Sequence, residues 1–535
     1  MSITSLTFLI FIFITLFVYY IVPKRIQWVI LLLSSLFFYY VCSNIGIIYV
    51  FITSLSIYIG CLLFENIDVS TKTYIKNNKS TLTKEAKKEY KAKAKKKKQL
   101  VLILALIINF SLLVIFKYSH FFITQINAVI SIFNLKTINN TFSIIAPLGI
   151  SYYTLQATGY LIDVFWGKTV REKNFFKTLL FVSFFPQITQ GPINDFEELS
   201  KDLFSSHKLS YQNYSYGFQR LLWGFFKKMA IADFLSPYVT EGLSNYNNYS
   251  GTTCLICALL YMIQLYADFS GYMDIMCGYC QMLGIKLSEN FNRPFFSKSV
   301  TEFWRRWHIT LGAWLRKYVY YPVAFSKWNI KLSKHTKKRF GDFFSRQLLS
   351  TIALLFVWLF IGLWHDASWT YIMWGLGNAF FIITSLWFSP LYEKMKLKLK
   401  INEKSKGFKM FQISRTFVVL MLLEVIAAVS ALSGNGFKYF AKVFTDVSLS
   451  LNIFNLLPNV SSGSNLTIIN LFIAFAGVCL MFISSLLQRR RPIRYYFNKL
   501  PLFVRILIMS CAIILIASFG VEATWGAGAF MYANF

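Results

Sequence analysis

Charge is scarce in this chain. Lys, Arg, Asp and Glu make up 15% of its 535 residues, against roughly a quarter in soluble domains. Acids are scarcer still, with 23 Asp and Glu against 55 Lys and Arg. The surplus of +32 would suit a nucleic-acid partner, but no recognition module accompanies it, so no nucleic acid is expected. Soluble-enzyme motifs are missing too. There is no phosphate-binding glycine loop, no dinucleotide fingerprint, no G-x-S-x-G elbow and no H-E-x-x-H. The eight cysteines show no secreted-framework spacing. Only five histidines are present, so candidates for proton transfer are few.

Apolar residues are abundant, at 56%. A helix needs about 20 mostly apolar residues to cross roughly 30 Å of hydrocarbon. Long apolar runs occupy Ile3–Val22, Gln27–Tyr40, Ile45–Phe64, Leu100–Phe116, Leu348–Trp364, Thr370–Phe388, Thr416–Leu432, Leu466–Leu487 and Val504–Phe519. A soluble fold cannot hide that much surface, so the pattern predicts an all-α polytopic membrane protein. The first run is too long for a signal-peptide core and lacks a positive n-region, so it reads as a retained span.

Basic residues cluster between the runs. Residues 71–98 carry twelve Lys and two Glu, and 394–409 carry seven Lys. With Lys24/Arg25, 326–346 and 489–494, these segments fit the cytoplasmic side of a cell membrane, attracted to anionic lipid headgroups. That assignment places both termini extracytoplasmically.

Residues 65–98 form the longest polar stretch. Thr83–Gln99 is rich in helix formers, which predicts a basic surface helix or arm. Residues 433–465 read as an outer loop. The segment Phe142–Trp314 is different: Pro147, Gly149, Pro186, Gly191, Pro192, Gly271 and Pro294 break its apolar runs. It also holds Asp163, Asp268, Asp274, Glu289 and Arg293 at membrane-like depth. Broken backbone and ionisable groups at that depth belong in protein interiors or wet cavities, which makes this segment the place to seek function.

Cys254-x-x-Cys257 and Cys277-x-x-Cys280 have a zinc-like spacing, but Leu255, Ile256, Leu259, Leu260, Ile263 and Met276 surround them with apolar helix. They read as buried packing, and no metal is expected. His120, His207 and His335 have bland settings. His308 sits in Trp304-Arg-Arg-Trp307-His308, where helical spacing would place Trp304, Trp307, His308, Leu311 and Trp314 on one face. That pattern suits either an interfacial helix or a site. His365 sits in Trp364-His365-Asp366 between two apolar runs. It is either a turn residue or a general base, since imidazole titrates near neutral pH.

These strings resemble the membrane-bound O-acyltransferase family, nearest its alginate O-acetyltransferase-like branch. WRRWH at Trp304–His308 and LWHDASW at Leu363–Trp369 carry the likeness. Pro147–Tyr153 with Tyr160–Asp163, Phe185–Gln187 with Gly191–Ile193, and Tyr266–Asp274 with Asn290–Pro294 support it, as does the aromatic ending Phe530–Phe535. Where the family has Gly after the histidine, this chain has Asp366, and Lys327–Arg346 is an additional basic segment.

The resemblance implies a single domain over 1–535, a bundle of roughly 11 transmembrane helices with re-entrant or broken segments around a central channel, and a catalytic core at 147–375. It implies that His365 acts as base on the acceptor hydroxyl and that His308 positions the acyl group. Trp304, Trp307, Arg305, Asp268, Asp274, Asn290, Asp366 and Trp364 are the candidates to line the channel. The implied reaction carries an acetyl group from a cytoplasmic donor, acetyl-CoA or another, to an exported polysaccharide or wall polymer, directly or through an extracellular acetyltransferase partner. No tightly bound cofactor is expected. D-Alanyl transfer to teichoic acid is a related alternative. A polysaccharide exporter, which needs no base, is an alternative of another class.

Overall fold

The computed structural model describes residues 1–138, 146–447, 468–489 and 491–519. Phe530–Phe535 and most of 433–465 lie outside them. Among the described residues the regular elements are helical, with one isolated β-bridge between Phe291 and Trp307. Helix satisfies each backbone group within its own segment, which hydrocarbon demands. The described residues of the nine apolar runs fall almost wholly on helix. Five helical stretches are long and apolar enough to cross a bilayer, and the pair Trp369–Trp387 and Ser389–Lys398, bent by 61°, would make a sixth. Shorter apolar helices cover Leu6–Ile21, Leu471–Leu487 and Leu502–Ser518. The protein is a multi-pass membrane protein, though this tally does not establish eleven spans.

The chain divides into two compact units. The first is mainly Leu6–Tyr214 with Cys280–Ser288. Its longest helices, Ile47–Asn77 and Lys84–Leu113, run beyond their apolar parts. Thr83 caps the second, its hydroxyl accepting from the Ala86 amide at 3.2 Å. Beyond the apolar run the two helices stay together: Tyr74 stacks on Tyr90 at 4.2 Å, and Lys98 pairs with Asp68 at 2.8 Å. The basic stretch is thus half of a helical hairpin. Residues 150–203 form shorter pieces, Ile150–Trp166, Phe175–Ser183, Phe185–Ile188 and Phe196–Leu203.

The second unit is mainly Ser215–Tyr279 and the chain from Glu289 onward. The helix Gly251–Met282 is its axis and is largely buried. The helix Tyr211–Phe225 and the π-helical turn Phe226–Ala232 cross it at glycines. A methyl group on Gly224 would stand 2.7 Å from the Gly271 carbonyl, and one on Gly278 2.6 Å from the Gly217 carbonyl. Small residues here let two backbones touch, as is usual between membrane helices. The described part of the 433–465 segment is less loop-like than its composition suggests. Gly436–Thr445 is a helix, and Tyr439 Oη donates to the Cys254 carbonyl at 2.5 Å, tying it to the start of the axial helix.

Lys327–Arg346 is also structured. The helix Lys327–His365 breaks at Gly341, whose φ of 85° and ψ of 174° are not helical. Ser333 and Ser345 come within 2.8 Å, so the chain doubles back there as a hairpin. All four cysteines of the two C-x-x-C pairs lie on the single helix Gly251–Met282 as free thiols. At about 1.5 Å of rise per residue the two pairs stand far apart along the axis and cannot share one ion.

Candidate functional site

The continuous helix expected through Trp304–Trp314 does not form. Val300–Phe303 is one short helix and Ile309–Leu315 another. Between them His308 takes a left-handed backbone conformation, φ 46° and ψ 51°. A side chain there carries a steric cost, which the surroundings offset. Asn290 supplies much of that support. Its carbonyl accepts from the Ile309 amide at 3.0 Å. Its side-chain Oδ1 accepts from the Thr310 amide at 3.0 Å and from the Thr310 hydroxyl at 2.8 Å. Asn292 donates its amide to the Arg306 carbonyl at 2.9 Å. The histidine turn is thus laced to the 290–292 segment on both sides.

The break does not scatter the predicted face. Trp307, His308, Leu311 and Trp314 are all buried. Trp307 packs between Phe291 at 5.0 Å and Phe303 at 5.4 Å. The His308 ring stands edge-on to Phe269 at 5.0 Å and lies 6.1 Å from Trp364.

His365 is the last residue of its helix. Asp366 leaves in extended conformation, and Ser368 caps the next helix, accepting from the Tyr371 amide at 3.4 Å. The two helices meet at glycines: a methyl group on Gly362 would stand 2.6 Å from the Tyr371 carbonyl, and one on Gly375 2.5 Å from the Trp358 carbonyl. That contact places the buried His365 ring against Trp364 at 5.1 Å, Trp374 at 5.1 Å and Tyr371 at 6.1 Å. The Trp364 indole is therefore in contact range of both imidazoles. A second link runs through Trp304, which packs on Trp358 at 5.0 Å and Trp374 at 5.7 Å. Its Nε1 donates to Asn378 Oδ1 at 2.9 Å, while Asn378 Nδ2 donates to the Trp374 carbonyl at 3.1 Å.

The acidic candidates are held in ion-pair networks. Asp274 accepts from Arg220 at 2.8 Å and Lys227 at 2.7 Å, and Glu289 takes Arg220 in a two-pronged pair at 2.7 and 2.6 Å. Asp268 pairs with Lys228 at 2.6 Å, and Lys228 also reaches Asp233 at 2.9 Å. A cavity of about 630 Å³ opens beside the first of these networks. Of the residues expected to line a channel, Asp274 and Asn290 border this cavity, whereas Trp304, Trp307 and Trp364 pack around the histidines. Arg305 is exposed and Asp366 half-buried. Neither histidine ring borders the cavity.

Sequence reading missed Asn378, Trp374 and Tyr371 around the histidines, and Arg220, Lys227 and Lys228 opposite the acids. A signal existed for the lysines, which interrupt the apolar stretch Leu221–Ala232 just as the acids interrupt theirs.

The family model for membrane-bound O-acyltransferases matches residues 168–411. A probable alginate O-acetylase AlgI of Pseudomonas syringae pv. tomato is 32% identical over 387 residues, 72% of this chain and 67% of that protein. The chain belongs to the membrane-bound O-acyltransferase family, in its alginate O-acetylase-like branch. A probable alginate O-acetylase AlgI of Azotobacter vinelandii is 37% identical over 270 residues, 50% of each chain. A peptidoglycan O-acetyltransferase of Helicobacter pylori is 34% identical over 297 residues, 51% of this chain and 52% of that protein. These last two alignments span about half the length of the relatives. The family match covers both histidines, the Asn290 clamp and the Trp304–Asn378 link.

Proposed function

We propose that this chain is an O-acyltransferase that acetylates hydroxyl groups of an exported polysaccharide or wall polymer. The observation that carries the reading is the meeting of two sequence-distant imidazoles on one buried indole, Trp364. In this reaction His365 takes the proton of an acceptor hydroxyl as its oxygen attacks the acyl carbonyl. The donor's leaving group collects a proton as the tetrahedral intermediate collapses. His308 holds the acyl group or the end of its carrier. The aromatic walls exclude water, which would otherwise compete for the acyl group and weaken nearby electrostatics. The acyl group comes from a cytoplasmic donor, acetyl-CoA or another, and reaches the acceptor directly or through an extracellular partner.

The test replaces His365 by Ala, and separately by Gln, in the native host. Ester-linked acetate and D-alanine are then released from the surface polymer and quantified, together with the polymer itself. Loss of acetate with the polymer retained supports the reading. Loss of D-alanine in its place reassigns the acyl group, and loss of the polymer itself points to export. Unchanged ester content overturns the enzymatic role of His365.

A further inference from the structure

The helix Lys406–Ser433 is long and apolar enough to cross a bilayer, yet it carries one acid, Glu424, midway along the run Thr416–Leu432. A carboxyl group at that depth is costly and belongs in a bundle interior or a wet cavity. Among the described residues no Lys or Arg pairs with it. Its neighbours are instead groups that wall His365. A methyl group on Gly377 would stand 2.9 Å from Leu423 Cδ2, so the two helices pack one residue before Glu424 and about one turn after Trp374. Glu424 faces the Trp374 indole N–H, and its charge acts on the hydroxyls of Tyr371 and Tyr261. Tyr371 and Trp374 are the rings packed on His365, at 6.1 and 5.1 Å. All three aromatic residues are buried, whereas Glu424 is half-buried.

The Trp374–Glu424 pair is incomplete. Trp374 is 5% exposed, and among the described residues its Nε1 has no partner at hydrogen-bond geometry. A buried donor left unmet is costly. The indole can only donate, and an ionised carboxylate can only accept. A hydroxyl group between them does both at once, accepting from the N–H and donating to the carboxylate. Lys406, Lys409 and Arg415 all precede Glu424 on the helix, which by the positive-inside rule puts Glu424 on their extracytoplasmic side, toward an exported acceptor. We infer that Trp374 and Glu424 bind a hydroxyl of the acceptor beside the one that reacts at His365, an inference that rests on the acyl-transfer reading. The ligand class is a polyol, such as a sugar, with neighbouring hydroxyl groups. Held this way, the acceptor keeps a fixed anchor while the adjacent hydroxyl gives its proton to His365.

The test measures acceptor binding rather than turnover. Fragments of the host's surface polymer, stripped of esters by mild alkali and carrying a fluorophore, are titrated against full-length protein in nanodiscs. The native protein binds them. Glu424→Leu weakens binding about tenfold, as loss of a charge-assisted hydrogen bond requires. Glu424→Gln, which keeps the oxygen and loses the charge, weakens it about threefold, because neutral hydrogen bonds are roughly half as strong. Arg415→Gln, about 14 Å away along the same helix, leaves it unchanged. Glu424→Leu unfolds at no lower temperature than the native protein, since an unpaired acid in an apolar span adds no stability. Native affinity in Glu424→Leu overturns the inference. A native protein that binds no fragment overturns it too, and leaves the space between Trp374 and Glu424 to water. Should Glu424→Leu fold poorly, Glu424→Gln decides: a threefold loss sustains the inference and native affinity overturns it. The transfer reading fails separately, as unchanged ester content in His365→Ala, which this titration does not read.

Discussion

Trp304 and Asn378 are joined by a hydrogen bond of 2.9 Å from the indole Nε1 to the side-chain carbonyl. Asn378 is fully buried, and its amide in turn holds the carbonyl of Trp374, the residue against His365. One amide thus couples the segment carrying His308 to the helix that lines His365.

Cutting that link has a defined signature. Asn378→Leu strands the Trp304 N–H, and Trp304→Phe strands the Asn378 carbonyl. Each should cost about 1–3 kcal/mol, because a buried group left without its partner bears its desolvation cost. The double substitution removes both polar groups and should cost less than the sum of the singles. Thermal unfolding of the four proteins in detergent measures this, and strict additivity would sink the coupling.

Asn290 acts on the other histidine. Asn290→Ala removes the acceptor of two Thr310 hydrogen bonds and loosens the turn that keeps His308 left-handed. Acetyl transfer should fall at least about tenfold, since small misplacements at a reacting centre are costly in rate. The fall should appear in kcat more than in the acceptor KM. A variant with full kcat and raised KM would assign Asn290 to binding instead.

The sequence disclosed this site unevenly, for physical reasons. Apolar run length is a local quantity, so the spans and their helical state could be read directly. The histidines stood out because polar residues are rare in such runs. His308's backbone could not be read, because a left-handed residue within Trp304–Trp314 depends on Asn290, and that pairing is tertiary. Helical spacing predicted the right inward residues from the wrong local structure: burial of Trp307, His308, Leu311 and Trp314 survives the break. Asn378 was invisible, since one amide in an apolar helix has no distinguishing pattern until its indole partner is known. Asp268 and Asp274 looked like parts of a substrate path. Their nearest partners are lysines and an arginine on a crossing helix, a contact no spacing rule reveals.

The Lys228 cluster predicts a stability effect. Lys228 lies between Asp233 and Asp268, and all three are buried. Lys228→Met removes the cation shared by two buried carboxylates and should destabilise by about 3–5 kcal/mol. The triple variant Lys228→Met, Asp233→Asn, Asp268→Asn removes all the charge and should recover much of that loss. Thermal unfolding in detergent is the measurement. A triple variant no more stable than Lys228→Met would show that the site needs its charge.

The crossing helices make the sharpest stability test, because it depends on backbone alone. Gly217 and Gly224 on one helix face Gly271 and Gly278 on the other. A methyl on Gly224 would meet the Ile275 amide nitrogen at 2.6 Å as well as the Gly271 carbonyl, and neither can rotate aside. Gly224→Ala must push the helices apart, straining Lys227–Asp274 and Lys228–Asp268 together. Overpacking of this kind costs about 1–3 kcal/mol. Gly407, where nothing lies within 4 Å, is the matched control, and alanine there should be neutral or slightly stabilising because it favours helix. Unfolding temperature read for both variants decides the matter. Gly224→Ala as stable as Gly407→Ala would mean that the two backbones do not touch, and that the ion pairs alone hold the crossing.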